Sequence, residues 1–188
     1  MLGAACCLPL LCATFCVGPP GYYSAKYSSA GAASPLAFPI AAEPERQTEP
    51  HTCGLHALSS LYRGYGLDPE RLRLRLRIGV DKPVSNFFPD TTGTIHPDIL
   101  RVVEQDGFEA EVLRPSDSAT RLRVEEHLRR GHYALVLIRV NELHWVLFTG
   151  LEGDRAVVCD SLETEAYDVA FREYLAERVY SVVLIRPR

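Results

Sequence analysis

Cysteine is scarce in the body of this chain. Of six in 188 residues, Cys6, Cys7, Cys12 and Cys16 crowd the first sixteen positions, which leaves Cys53 and Cys159 for everything after them. Two cysteines exclude a disulfide-built scaffold. An excess of one charge is lacking as well: a net charge of −4 and a pI near 5.9 give no global field for phosphates, so nucleic acid is not an expected partner. Beyond residue 46 there are no internal repeats and no long Pro-rich interruption. The length, with 47% hydrophobic and 23% charged residues, suits one globular domain with a sizeable core.

The N-terminal end has a different composition. "MLGAACCLPLLCATFCV" is apolar and uncharged for seventeen residues, at the short limit for a bilayer span and without the positive flank of a secretory signal. Residues 1–18 read as an apolar leader or anchor, which favours export or membrane association over a cytoplasmic location. The four cysteines there are lipidation candidates or simply small apolar residues. Residues 19–44, rich in Gly, Ala, Ser and Pro, read as a flexible linker, and residues 45–188 as the folded domain.

Within that domain, "HTCGLHALSSLYRGYG" repeats apolar residues at Leu55, Leu58, Leu61, Tyr62 and Tyr65, the spacing of one helical face, and this puts Cys53 at a helix N-terminus. "LDPERLRLRLRIGV" opens with a helix start signal but alternates Leu and Arg, so a short helix competes with a strand. "IHPDILRVVEQDG" and "ATRLRVEEHLRRG" are further helix candidates, with "FEAEVL" a strand between them. From residue 132, "HYALVLIRV", "HWVLFTG" and "AVVCDSL" predict an antiparallel meander. "AFREYLAER" is a short helix candidate and "VYSVVLIR" a final strand. Helices first and strands later predict an α+β layering.

A cysteine attacks carbonyls as thiolate, and the free N–H groups and dipole of a helix N-terminus favour that anion. Cys53 has this position and needs a base. His144 lies on a predicted core strand, an unusual place for an ionisable ring without a partner. If "EGD" forms a three-residue hairpin loop, residues 151 and 155 pair, His144 faces Leu162, and Asp160 becomes a same-face diagonal neighbour able to orient the ring. A four-residue loop would put His144 and Asp160 on opposite faces. The same parity turns Cys159 away, into packing. Gln47, six residues before Cys53, and the Cys53 N–H are candidate donors to an oxyanion.

Taken singly, each residue has a plainer reading: Cys53 as a core filler, His144 as a satisfied core histidine, Asp160 as a turn or strand-end residue. The joint spacing carries the argument. Gly54 and Trp145 adjoin the nucleophile and base and are candidate substrate-lining residues, Trp145 being equally ordinary core. Phe87 and Phe88, in the loop-like "SNFFPDTTGT", either line a substrate groove or plug a core edge.

With these residues in place, "QTEPHTCG" and "LHWVLFTGLEGDRAVVCDS" resemble the papain-fold cysteine peptidases that cleave bacteriocin, or double-glycine, leaders. The likeness spans roughly residues 45–186. It implies a papain-like α+β fold, with N-terminal helices carrying the Cys packed on a C-terminal antiparallel sheet carrying His and Asp. It further implies Cys53 as nucleophile, His144 as base and acid, Asp160 as its orienter and Gln47 as oxyanion donor, a peptide or protein substrate, and no cofactor or metal. In that family the Asp is often followed by Pro, where this chain has Ser161. "CGLHAL", "HW" and "DSL" are similar, more weakly, to Josephin-type deubiquitinating proteases, with Asp160 where those have Asn.

Other classes remain on the table at this level: a cysteine acyl transferase using the same triad, or an inactive papain-fold peptide-binding module. A zinc site from Cys53, His56, His144 and either Asp160 or Cys159 is disfavoured, because the second pair lacks the spacing of a metal knuckle. Arg71, Arg73, Arg75 and Arg77 read chiefly as a solvated face, with an acidic partner as the alternative.

Overall fold

The computed structural model describes residues 34–188, so the expected leader and the first part of the expected linker lie outside the described residues. Among the described residues, no helix is long and apolar enough to cross a membrane.

Among the described residues five α-helices and eight strands follow in the order α1 Cys53–Gly64, α2 Leu74–Ile78, β1 Pro83–Ser85, β2 Phe88–Thr92, α3 His96–Gln105, β3 Phe108–Leu113, α4 Ser118–Arg129, β4 Ala134–Arg139, β5 Leu143–Glu152, β6 Arg155–Cys159, β7 Tyr167–Ala170, α5 Phe171–Glu177 and β8 Val179–Pro187. The six-stranded sheet runs β3-β8-β4-β5-β6-β7, antiparallel throughout. The expected meander is β4-β5-β6, and the expected final strand inserts between β3 and β4.

Alternation along the central strands builds two cores, because successive side chains leave a strand on opposite faces. Leu135, Leu137, Trp145, Leu147, Val183 and Ile185 meet α1, α2 and α3, whereas Val136, Ile138, Val146, Phe148, Val182 and Leu184 meet α4 and α5. Helix α1 is the pillar of the first core: Leu58, Leu61 and Tyr62 are fully buried, each worth about 1.5–3 kcal/mol of apolar burial. It stops where Gly66 takes a left-handed φ of +74°.

Two stretches differ from the sequence reading. "SNFFPDTTGT" is not an open loop; its first half closes the β1–β2 hairpin, with Ser85 paired to Phe88. Arg77 is not on a solvated face. Its guanidinium is buried and grips Asp106 at 2.8 and 2.9 Å, and the Tyr62 hydroxyl donates to the same carboxylate at 2.5 Å. Arg75, on the same short helix, binds Asp81 and Glu49.

Residues 34–44 run along the domain. The N–H groups of Leu36 and Ile40 donate to the carbonyls of Tyr65 and Gly64, at 3.0 and 2.7 Å, and Ser60 donates to the Glu43 carbonyl at 2.9 Å. Small residues and prolines suit such a strap as well as they suit a free linker, because backbone atoms make most of its bonds.

Candidate active site

Cys53 is the first residue of α1, entered from a single 3-10 turn, Pro50–Thr52, that the Thr52 hydroxyl tightens by donating to the Glu49 carbonyl at 2.7 Å. The N–H groups of a first helical turn have no partners within the helix, so those beside the thiol can donate to a bound substrate oxygen.

His144 is the second residue of β5, the strand on which α1 packs. Its Nε2 lies 2.7 Å from Asp160 Oδ1, and the Cys53 side chain is the other polar group close enough to act on the imidazole. With Nε2 engaged by Asp160, Nδ1 is the nitrogen left for sulfur. Burial pulls this ring towards the neutral form, but the hydrogen bonds and charges of Asp160 and Cys53 outweigh it and lift the pKa to about 9. Asp160 responds in the opposite sense: burial opposes its charge, yet His144, the Leu162 N–H and the Tyr167 hydroxyl hold the carboxyl below its ordinary value. The latter two donate at 2.9 and 3.3 Å.

The register that brings His144 to Asp160 is reached by an unexpected route. Glu152 pairs with Arg155, so the β5–β6 turn has two residues, Gly153 and Asp154, not three. That alone would slide β6 by one position and turn Asp160 to the wrong face. A bulge between Phe148 and Gly150 takes the extra residue back, so Leu147 faces Cys159 and Asp160 regains the side of His144.

Gln47 lies against the residue after Asp160. Its N–H donates to the Ser161 carbonyl at 2.9 Å, and the Ser161 hydroxyl donates to its Oε1 at 2.7 Å, which leaves Nε2 free. Gly54 and Trp145 are buried behind this group. A Cβ on Gly54 would lie 2.5 Å from that of Thr94, and the Trp145 indole N–H donates to the Thr94 carbonyl at 3.0 Å. Both therefore seat the loop after the β1–β2 hairpin against the first turn of α1. Phe87 and Phe88, at 82% and 53% exposure, are in that hairpin.

Of the residues considered for zinc, His56 and Cys159 are engaged away from the Cys53, His144 and Asp160 group. His56 Nδ1 is 3.1 Å from Glu45, and the Cys159 thiol is buried against the Ala42 carbonyl, its pKa pushed up to about 11 chiefly by burial. Among the described residues the one group with metal-ligand spacing is Glu49, His51 and Asp81, and the Arg75 guanidinium already bridges its two carboxylates. Sequence reasoning missed Tyr167 and Ser161. The signal for Ser161 was its place beside Asp160; Tyr167 gave none.

No protein-family model matches the chain, and no curated protein matches it. Solved structures do. The peptidase domain of Streptococcus ComA, a bifunctional ABC transporter of a quorum-sensing pathway, is 14% identical, with a TM-score of 0.57 over 79% of this chain and 100% of that one. A double-glycine-motif protease from an AMS/PCAT transporter, solved with its leader peptide, is 18% identical, with a TM-score of 0.57 over 83% and 99%. The peptidase domain of Streptococcus mutans ComA is 14% identical, with a TM-score of 0.52 over 77% and 99%. The fold is thus the papain-like α+β fold, and within it the form found in double-glycine leader peptidase domains, as the resemblance implied.

Proposed function

We propose that the chain is a cysteine peptidase that cleaves peptide or isopeptide bonds through Cys53, His144 and Asp160. The observation that carries this reading is the imidazole held between the Asp160 carboxylate, at 2.7 Å, and the Cys53 thiol at a helix N-terminus. The likeness to peptidase domains supports the reaction class, and a neighbour solved with a leader peptide supports a peptide as substrate.

His144 takes the thiol proton, and the thiolate attacks the substrate carbonyl. The oxygen becomes an oxyanion, met by the Cys53 N–H and Gln47 Nε2. As the intermediate collapses the C–N bond breaks and His144 gives its proton to the leaving amine. Water, deprotonated by His144, then attacks the thioester, and the C–S bond breaks to release the acid and return the thiolate. Gly54 and Trp145 support the nucleophile from behind, and Phe87 and Phe88 offer apolar surface to the peptide.

The test is mass-spectrometric labelling by a thiol-reactive peptide electrophile near pH 7. Cys53 is expected to be modified selectively, with Cys53→Ala silent and His144→Ala slowed by about 10²–10⁴-fold. Equal labelling of Cys159, or indifference to His144, would leave Cys53 a packing residue in a binding module.

A further inference from the structure

We infer that Ser161 is a positioning residue that fixes which end of the Gln47 amide faces the reacting carbonyl; this rests on the peptidase reading above and deepens it. A glutamine side chain is ambivalent, since its oxygen only accepts and its nitrogen only donates, and a half-turn exchanges them. Turned the wrong way it would present a lone pair to a developing oxyanion. The backbone N–H of Gln47 donates to the Ser161 carbonyl at 2.9 Å and anchors the main chain, and the Ser161 hydroxyl donates to Oε1 at 2.7 Å and touches the amide itself.

Ser161 is 3% exposed, so its hydroxyl proton has little access to water. In a reversed amide Nε2 could donate to the Ser161 Oγ, but the hydroxyl proton would lose the acceptor it uses here and be left buried, and Nε2 would be taken up by Ser161 instead of facing the site. The hydroxyl thereby selects the orientation in which Nε2 is free. Ser161 is also the covalent neighbour of Asp160. One dipeptide therefore orients the imidazole through its first residue and the oxyanion donor through its second, and a single peptide bond fixes the spacing between the two tasks.

The experiment uses two reagents on the full chain, with Cys53→Ala as blank. Iodoacetamide alkylates the thiolate by displacement at a saturated carbon and forms no oxyanion. p-Nitrophenyl acetate acylates it through a tetrahedral oxyanion that expels p-nitrophenolate. Ser161→Ala is expected to slow acylation about tenfold while alkylation stays within about twofold, and Gln47→Ala to slow acylation at least as much. Because Ser161 acts through Gln47, the double variant should be no slower than Gln47→Ala alone. Equal losses in both reactions, no loss in either, or additive losses in the double variant would overturn the role of Ser161. A wild-type Cys53 inert to both reagents would sink the peptidase reading, and this inference with it.

Discussion

Asp106 and Asp160 are buried carboxylates built to one recipe with different outcomes. Each accepts from a basic side chain and from a tyrosine hydroxyl: Arg77 and Tyr62 on Asp106, His144 and Tyr167 on Asp160. At Asp106 the guanidinium engages both oxygens and never loses its charge, so the cluster is closed. At Asp160 the basic group is an imidazole whose pKa is lifted to about 9, so it can still release a proton, and its other nitrogen is left for the Cys53 thiol. The tyrosine and the carboxylate are common to both. What separates the brace from the proposed reactive centre is an imidazole able to release its proton and a thiol placed beside it.

The sharpest way to break this comparison is to remove each basic group. Arg77→Ala leaves Asp106 buried and uncompensated, and chemical denaturation should show a loss of about 3–5 kcal/mol. His144→Ala should cost about 1–2 kcal/mol of stability while abolishing most thiol reactivity. Equal destabilisation by the two would dissolve the distinction.

Dependence on pH sharpens it next. The folded pKa of His144, about 9, exceeds its ordinary 6.5, so its contribution is full below about 6.5 and is lost as pH rises through 9. Asp160 is shifted down, so its share is present above its ordinary 3.8 and is lost as pH falls through its folded value. The stability gap between wild type and His144→Gln should therefore narrow from about pH 6 to about pH 10 in urea titrations. The gap between wild type and Arg77→Met should stay flat over that range, since no imidazole takes part in that cluster. A parallel decline in both gaps would contradict the contrast.

The smallest effects fall on the tyrosines. Tyr62→Phe removes a fully buried donor at 2.5 Å and should cost about 1.5–3 kcal/mol, whereas Tyr167→Phe removes a half-buried one at 3.3 Å and should cost about 0.5–1 kcal/mol. Thermal unfolding of the two variants side by side measures the ratio.

Much of the site was legible because its signals are local. A cysteine at the start of an apolar 3.6-period run, a histidine inside a β-branched strand and an aspartate sixteen residues on each announce themselves within one element. The hairpin between the last two was reached through two departures that offset each other, since the turn is a residue shorter than expected and the bulge before Gly150 restores the register. A glycine inside a strand hints at a bulge, but nothing in the sequence says which way it shifts the partner. The Arg77–Asp106 pair was illegible because its partners lie 29 residues apart and the Leu-Arg alternation suggests a wet face. The β1–β2 hairpin was obscured by Pro83 and Pro89, residues that weaken a strand reading. Tyr167 was hidden because β7 pairs with β6 at the sheet edge after a turn that carries no periodicity.

The place of β8 between β3 and β4 also bears on timing. These neighbours cannot share a sheet until residues 179–187 have been synthesised, after Cys53, His144 and Asp160 have been added to the chain. The sheet that carries His144 and Asp160 is completed only when this strand slots into its middle. A nascent chain therefore carries Cys53 before the sheet on which its helix packs is whole, and the last strand made is the one that joins β3 to the rest.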